Sequence, residues 1–296
     1  MNSVVLKLLK KCWQEDITSS LTNIKIAMEE LLGYGFIQRA LIGGIFIAVA
    51  CALLGVFLVL RRNAMFAHGL AHVVFAGVAL GLFFKIGVLG AGVAVSVIAA
   101  LGMLKLRHKA GLHFDTAIGI FSAVGMALGI ILVSLARSFN VDLFSYLFGE
   151  ILAIEPHEVW LSLGLLSAVL VVILIFYRKF LFIAFDSETA KASGIRVEIL
   201  DSLLIILTAL TVVLGMKIVG LIFVTALVVI PAAAALQIAG SFKSALLISA
   251  ATALVSVLGG LYGAFSFDIP AGGSIVIFSF LIFCVLFTIK KVRQLF

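Results

Sequence analysis

Two histidines four residues apart, His68 and His72, have the residue type and spacing that best suit metal chemistry in this sequence. They lie in an otherwise apolar stretch, residues 66–77. In a helix, the i, i+4 spacing places both imidazoles on one face, one turn apart. Ionisable residues at membrane depth are costly unless they line a pathway or pair with another group. The pair therefore predicts a metal site, and the alternative is that each imidazole forms a hydrogen bond to a neighbouring helix.

The composition excludes a water-soluble fold. The chain has 296 residues, of which 64% are hydrophobic and 12% are charged, whereas soluble domains contain about 25% charged residues. The formal net charge of +7 is explained by basic loops and requires no nucleic-acid partner. Because the apolar runs have the length of spanning helices rather than of short alternating strands, we predict an all-α, polytopic membrane protein.

Nine hydrophobic segments are long enough to cross a hydrocarbon core of roughly 30 Å as helices. They cover residues 36–60, 64–84, 87–104, 115–137, 160–177, 198–216, 218–236, 244–266 and 271–289. The sixth and seventh segments are separated only around Lys217. A single broken helix at that point, or a re-entrant piece near the N-terminus, would give eight or ten spans instead of nine.

Lysine and arginine residues recur after every second segment. Thirteen of them fall on one side of a nine-span arrangement, namely Arg61, Arg62, Lys105, Arg107, Lys109, Arg178, Lys179, Lys191, Arg196, Lys243, Lys290, Lys291 and Arg293. The opposite loops contain mainly acidic residues, namely Asp142, Glu150, Glu155, Glu158 and Asp268. Because cytoplasmic loops hold the excess of basic residues, the pattern predicts a cytoplasmic C-terminus and an N-terminus outside.

Residues 1–35 are predicted to form an amphipathic segment in the membrane interface, because leucines and Trp13 alternate there with Lys7, Lys10 and Lys11. This stretch lacks the long apolar core and the cleavage site of a secretory signal peptide. The phosphate-binding pattern Gly-x-x-x-x-Gly-Lys-Ser/Thr does not occur in the sequence. An ATP-driven role would therefore require a separate ATPase subunit.

A hydrophilic stretch, residues 178–198, follows the fifth segment. Asp186 or Ser187 can cap a short helix that ends at Gly194. The pattern predicts one or two helical turns parallel to the membrane, on the side that the basic residues mark as cytoplasmic. A solvated connector without further function is the alternative.

Seven sequence blocks carry a resemblance to a known family. They are residues 38–45, 54–62, 72–81, 115–120, 146–153, 185–194 and 216–234. In this order they resemble the membrane subunit of bacterial ABC importers for divalent metals, the zinc and manganese permease family. The resemblance extends from about residue 34 to residue 292. It implies a vitamin-B12-importer-like bundle of helices in the bacterial inner membrane.

The resemblance also implies partners. Residues 36–292 would form a permease domain that works as a homodimer with two ABC ATPase subunits and an extracytoplasmic solute-binding protein. The chain itself would not be an enzyme and would hold no tightly bound cofactor, since the divalent metal is cargo. The segment at about 178–197 would enter a groove of the ATPase. Its predicted coupling residues are Asp186, Ser187, Glu188, Ala190 and Gly194.

The histidine pair departs from the family pattern at one position. Family members usually have Asp four residues before the histidine that matches His72, whereas this chain has His68 there, preceded by Ala67 instead of Gly. Imidazole ligands favour zinc, copper, nickel and cobalt over manganese, which prefers oxygen ligands. Residues 216–220 also resemble the zinc branch of the family. We therefore predict zinc as the cargo, with manganese next.

Asp268, Glu155 and His157 are candidates for a gate or a docking surface on the outer face. The alternatives are a helix cap for Asp268 and a solvated loop for the other two. Two further functions remain open, namely a self-sufficient metal channel or secondary carrier, and an ABC permease for a metal chelate. A secondary carrier would be expected to have paired carboxylates within its spans, and residues 36–60 and 64–84 contain none.

Overall fold

The computed structural model describes residues 35–110, 113–135, 141–149 and 154–294, and within these ranges every regular element is a helix. In chain order the helices are α1 (Gly35–Leu60), α2 (Met65–Phe83), α3 (Val88–Ala110), α4 (Phe114–Leu135), α5 (Val141–Phe148), α6 (Pro156–Phe185), α7 (Ser187–Ala192), α8 (Val197–Ile218), α9 (Leu221–Ile238), α10 (Phe242–Phe267) and α11 (Ala271–Arg293). The predicted interfacial segment, apart from Gly35, lies outside the described residues.

Within the described ranges, nine helices, all but α5 and α7, are long and apolar enough to span a membrane. This count confirms the prediction of about nine spans. The helices α8 and α9 are separate because the chain breaks at Gly220, whose φ of +101° is readily adopted only by glycine. The backbone there lies against the end of α5, since a Cβ built on Gly220 would be 2.4 Å from the carbonyl carbon of Phe148.

The helix α6 is longer than the hydrophobic pattern predicts. The apolar segment stops at residue 177, but the helix continues through the exposed Arg178 and Lys179 to Phe185. Arg and Lys are good helix formers, so their charge does not end a helix that has reached water. The helix ends where Asp186 adopts an extended backbone, with φ −150° and ψ 96°. The predicted coupling segment at 178–197 is therefore helical over its first part rather than a loop.

The helices α1, α2 and α8 form the centre of the bundle, and most of their residues are buried. Small residues let helices approach one another closely in lipid. Gly55 of α1 lies directly against the backbone of Val228 in α9, and Gly125 of α4 lies against the backbone of Val73 in α2. Few residues of α4, α6 and α11 are buried, and these helices lie at the periphery.

Ion pairs mark the two ends of the bundle. At one end, Arg61 and Arg107, which come from two different predicted cytoplasmic loops, both approach Asp201. At the other end, Nζ of Lys217 lies 2.6 Å from Oε1 of Glu158, and both residues come from predicted outer positions. The structure therefore sorts these charges to two ends as the alternating topology predicts.

Candidate metal site

The histidine pair lies near the start of α2. The first turn of this helix is set by the N–H of Phe66, which donates to the carbonyl of Asn63 at 3.0 Å. His68 and His72 follow on one face, with their Nε2 atoms 3.3 Å apart. Their ring centroids are 4.8 Å apart and the ring planes are nearly perpendicular, at 86°. The structure thus brings the two imidazoles together as their spacing predicts.

The two histidines form an open stripe within a stretch of α2 that is otherwise buried. Within residues 66–79, all residues except these two are buried. His68 is exposed and His72 is half-buried. Gly69, which lies between them in the sequence, packs on Ile118 of α4. The buried side of α2 therefore packs against the neighbouring helices, and the two imidazoles are accessible to a metal ion.

The spacing of the two imidazole nitrogens suits one transition-metal ion. Two nitrogens at roughly 2.0–2.1 Å from a tetrahedral ion are roughly 3.3–3.4 Å apart, and the Nε2 atoms of His68 and His72 are 3.3 Å apart. The same distance also fits a hydrogen bond from one ring to the other. Among the described residues, no group of three His, Cys, Asp or Glu side chains could hold a metal ion. Two imidazoles would be half of a tetrahedral set of four ligands.

The sequence leaves Asp186 and Ser187 open as caps of the short helix α7, and in the structure the cap is Asp186. Oδ1 of Asp186 accepts a hydrogen bond from the N–H of Thr189 at 3.0 Å, and Oδ2 accepts one from the Thr189 hydroxyl at 2.5 Å. These bonds hold the pKa of Asp186 below its usual range, and the bond from the Thr189 hydroxyl has the larger effect. The chain turns away after α7 at Gly194, where φ is +82°.

The predicted coupling residues differ in exposure. Asp186, Glu188 and Gly194 are exposed and Ser187 is partly buried, whereas Ala190 is fully buried. The Ala190 side chain therefore faces the bundle and anchors α7 to it. The exposed residues form the outward surface of this helix, and their contact with a partner stays a prediction. Ala190 instead packs within the chain.

Replacing Asp186 with Ala is expected to loosen α7, because the cap satisfies an N–H group that the helix itself leaves unpaired. The amide of Thr189 should exchange its hydrogen faster in the variant at pH 7, as measured by hydrogen exchange and mass spectrometry. The folded-state pKa of Asp186 is lowered, so the cap stabilises the fold above the unfolded value of about 3.9. This contribution is lost as the pH falls through the lower, folded-state pKa.

Glu188 provides the matched control for that experiment, because it is an exposed acid on the same helix. Glu188→Ala should leave the exchange of the Thr189 amide close to that of the wild type. Equal exchange in the Glu188 and Asp186 variants would contradict the role of Asp186 as the cap.

Glu155, His157 and Asp268 lie at the opposite end of the bundle from the histidine pair. Glu155 is the N-cap residue of α6, and its N–H donates to Oε2 of Glu158 at 3.0 Å. Its carboxylate also lies 3.1 Å from Nδ1 of the exposed His157. Asp268 follows α10 as the C-cap residue, in the left-handed conformation with φ 51°. All three are exposed residues at helix ends, and their gate or docking role stays a prediction.

Asp201 of α8 was not singled out from the sequence. Only 3% of its surface is exposed, and its carboxylate accepts two hydrogen bonds from the guanidinium of Arg61. Nη1 of Arg107 lies 3.9 Å from Oδ2. A signal was available, because Asp201 is an ionisable residue inside the predicted span 198–216 and such residues usually have a partner. Arg61 lies 140 positions away in the sequence, so spacing does not reveal the pair.

Residues 33–290 match the family described as the ABC 3 transport family. The fold is therefore that of the membrane-spanning subunit of a transporter. The chain belongs to this family. It is 37% identical over 267 residues to the manganese import system permease protein ScaB of Streptococcus gordonii. The matched region covers 90% of this chain and 96% of that protein.

Further similarities support the same class. The chain is 36% identical over 255 residues to the high-affinity zinc uptake system membrane protein ZnuB of Haemophilus influenzae, which covers 86% of this chain and 97% of that protein. It also matches a solved structure of PsaBC from Streptococcus pneumoniae in complex with a Fab, with a TM-score of 0.80, 33% identity, and coverage of 89% of this chain and 95% of that one. The predicted ABC permease bundle is confirmed, and the chain is a multi-pass bacterial membrane protein.

Proposed function

We propose that this chain is the transmembrane permease subunit of an ATP-driven importer for a divalent transition-metal ion, with zinc favoured and manganese next. The observation that carries this proposal is the open stripe of His68 and His72 on a helix whose surrounding residues are buried. Membership of the family supports the class of transporter. The donor atoms support the cargo, because neutral imidazole nitrogens are ligands for transition metals.

The preference for zinc rests on ligand chemistry. The relatives named for manganese and for zinc are similar to this chain to nearly the same degree, 37% and 36%, so identity does not separate the two ions. His68 replaces the carboxylate of the family pattern, and the site therefore offers two nitrogen donors where an oxygen and a nitrogen are usual. Zinc accepts such a set readily, whereas manganese prefers oxygen.

A second copy of the chain would complete the site. Each copy supplies two imidazoles, and four imidazoles around one ion match the tetrahedral coordination of zinc. The exposed side of α4, next to the histidine helix, is surface that a second copy can cover. Because a permanently closed four-ligand site would stop transport, the ion is held only until the two copies of α2 separate.

The remaining partners follow from the class of transporter. Two ATPase subunits would bind at the cytoplasmic end, against the exposed part of α7 that includes Glu188 and Gly194. A solute-binding protein would deliver the ion at the outer end, where Glu155, His157 and Asp268 are exposed. The absence of a phosphate-binding motif from the sequence agrees with a separate ATPase.

Uptake by reconstituted liposomes tests the proposal. The chain is co-reconstituted with its cognate ATPase subunit, the binding protein is added outside, and accumulation of radioactive zinc and manganese is measured with and without ATP. We expect ATP-dependent accumulation, with zinc preferred. Flux of either ion through the chain in the absence of the ATPase would identify a channel or carrier. Uptake of a metal chelate in place of the ions would identify the chelate permease, and either result would overturn the proposal.

Replacing His68 with Asp is expected to shift the selectivity toward manganese, because it restores the oxygen donor of the family pattern. The ratio of manganese to zinc uptake should rise by about tenfold, which corresponds to about 1.4 kcal/mol of relative binding free energy. Competition between the two radioactive ions in one liposome preparation measures the ratio directly.

The control for this shift is Met65→Asp, because Met65 is exposed on the same face of α2, one turn before His68. It adds the same charge beside the site without replacing a ligand. If His68→Asp and Met65→Asp raise the ratio of manganese to zinc uptake equally, the change reflects local charge. In that case His68 does not select the ion.

A further inference from the structure

The buried carboxylate of Asp201 joins the ends of several helices. It is fixed by the guanidinium of Arg61, which follows α1, through two parallel hydrogen bonds, and the one between Nη2 and Oδ2 is 2.9 Å long. Arg107, near the end of α3, approaches the same carboxylate. A paired arrangement of this kind holds direction as well as distance, because the planar guanidinium matches the two carboxylate oxygens.

On one side, Asp201 is connected to α7. Ala190 of α7 is fully buried, and its carbonyl accepts a hydrogen bond from the N–H of Ile195 at 3.1 Å. Nζ of Lys191 lies 3.0 Å from Oε1 of Glu198 in the first turn of α8, and Glu198 raises the pKa of Lys191. The hydrogen bond and the ion pair therefore connect α7 to the first turn of α8, which directly precedes Asp201.

On the other side, Arg61 is connected to the histidine helix. Its N–H donates to the carbonyl of Phe57 at the end of α1, and the N–H of Asn63 donates to the carbonyl of Leu58 at 2.8 Å. The carbonyl of Asn63 in turn accepts from the N–H of Phe66, in the first turn of α2. Backbone hydrogen bonds thus connect the whole turn between α1 and α2. A movement of Arg61 would therefore be transmitted to α2.

A second route leads to the same place. The guanidinium of Arg107 lies 5.2 Å from the centroid of the Phe114 ring, within the range of a cation–π contact. The Phe114 ring is stacked on Phe66, with centroids 5.7 Å apart and planes 17° apart. Phe66 is fully buried and lies two residues before His68. Both routes from Asp201 therefore end at the first turn of α2.

We propose that Asp201 is a positioning residue that links the movement of α7 to the helix that carries His68 and His72. A buried carboxylate cannot leave its guanidinium partner without exposing an unpaired charge to a medium of low polarity. The carboxylate and the guanidinium therefore move together, whereas two apolar side chains could slide past each other. The ATP-driven displacement of α7 is thereby delivered to the metal ligands. This inference rests on the proposed function of the chain as an ABC permease.

The double variant R61M/D201L tests this link. Apolar side chains of similar volume commonly replace a buried ion pair without loss of the fold, whereas a single substitution leaves an unpaired charge. The variant is expected to assemble with the ATPase and to hydrolyse ATP. The number of metal ions taken up per ATP should fall severalfold, because a movement of α7 is no longer passed on to α2. Uptake per ATP equal to that of the wild type would show that the pair only stabilises the fold and would overturn the inference.

A matched control is the double variant Q237L/K290M. Nζ of Lys290 donates to Oε1 of Gln237 at 3.1 Å, so this pair also joins two helices at the same end but lies on neither route to α2. It should keep the uptake per ATP of the wild type. If R61M/D201L does not assemble, R61Q/D201N takes its place, because it removes both charges while keeping polar side chains of similar size. Unchanged uptake per ATP in R61Q/D201N would also overturn the inference.

A measurement without metal separates this inference from the proposed function. Met65 is replaced by Cys in a chain whose native cysteines, Cys12, Cys51 and Cys284, are replaced by Ala, and its rate of reaction with a soluble maleimide is followed with and without a non-hydrolysable ATP analogue. The rate should change with the nucleotide in the wild-type background and stay constant in R61M/D201L. An equal change in both backgrounds would overturn the link even if metal uptake is observed, whereas missing uptake in the wild type would contradict only the proposed function.

Discussion

Replacing His72 with Ala is expected to abolish ATP-dependent metal uptake while leaving the chain folded. The imidazole lies half-buried on the open stripe of α2, with its Nε2 3.3 Å from that of His68. If two copies share the site as proposed, one substitution removes two of four ligands. We expect a loss of at least about 100-fold, since losing even an outer-shell partner of a metal ligand costs 10–100-fold. Zinc uptake in liposomes measures the loss, and ATP hydrolysis reports whether the complex has assembled.

The control for this loss is His113→Ala. His113 is an exposed imidazole directly before α4, so the same residue type is removed at the same end of the bundle without touching the stripe. Its variant should transport at the rate of the wild type. Wild-type uptake with unchanged selectivity in both His68→Ala and His72→Ala would reject the pair as ligands.

Replacing Gly220 with Ala is expected to give the largest loss of stability. Its φ of +101° is a glycine conformation, and the added Cβ would lie 2.4 Å from the carbonyl carbon of Phe148, where backbone must move to make room. Gly149 on the facing segment has the same restriction, with φ +80° and a Cβ that would lie 2.4 Å from the carbonyl carbon of Val219. Backbone strain and overpacking together should lower the free energy of unfolding by about 2–6 kcal/mol, seen as a lower Tm in detergent.

Gly164→Ala provides the comparison for this variant. Gly164 lies within α6, and a Cβ built on it meets nothing within 4 Å. In a helix, Ala is favoured over Gly by roughly 0.5–1 kcal/mol, so the Tm of this variant should stay level or rise slightly. A Tm for Gly220→Ala that matches that of Gly164→Ala would show that the junction between α5 and α9 adapts without strain.

The spans and the histidine pair were predictable because both depend on local spacing. A chain in lipid must satisfy its backbone polar groups within each helix, so every long apolar run became a spanning helix. The four-residue spacing likewise placed His68 and His72 on one face. Gly194 marked the end of α7, and Asp186 and Ser187 marked its start, for a similar reason, since such residues act on the neighbouring backbone.

Features that depend on packing between distant segments were not predictable. The pair of Arg61 and Asp201 joins residues 140 positions apart, and its formation depends on how α1 and α8 cross. The burial of Ala190 depends on the surface of the bundle beneath α7, which spacing alone does not describe. The end of α6 was misjudged because an apolar pattern reports where lipid stops, and a helix can continue into water beyond that point.

The length of α6 determines how far α7 stands from the lipid. Its 30 residues make a helix of roughly 45 Å, whereas the hydrocarbon core of a bilayer is roughly 30 Å thick. The excess keeps α7 in water when α6 tilts or when the bilayer thickens by a few ångström. The charged residues of α7 therefore stay out of the acyl chains in membranes of different lipid composition.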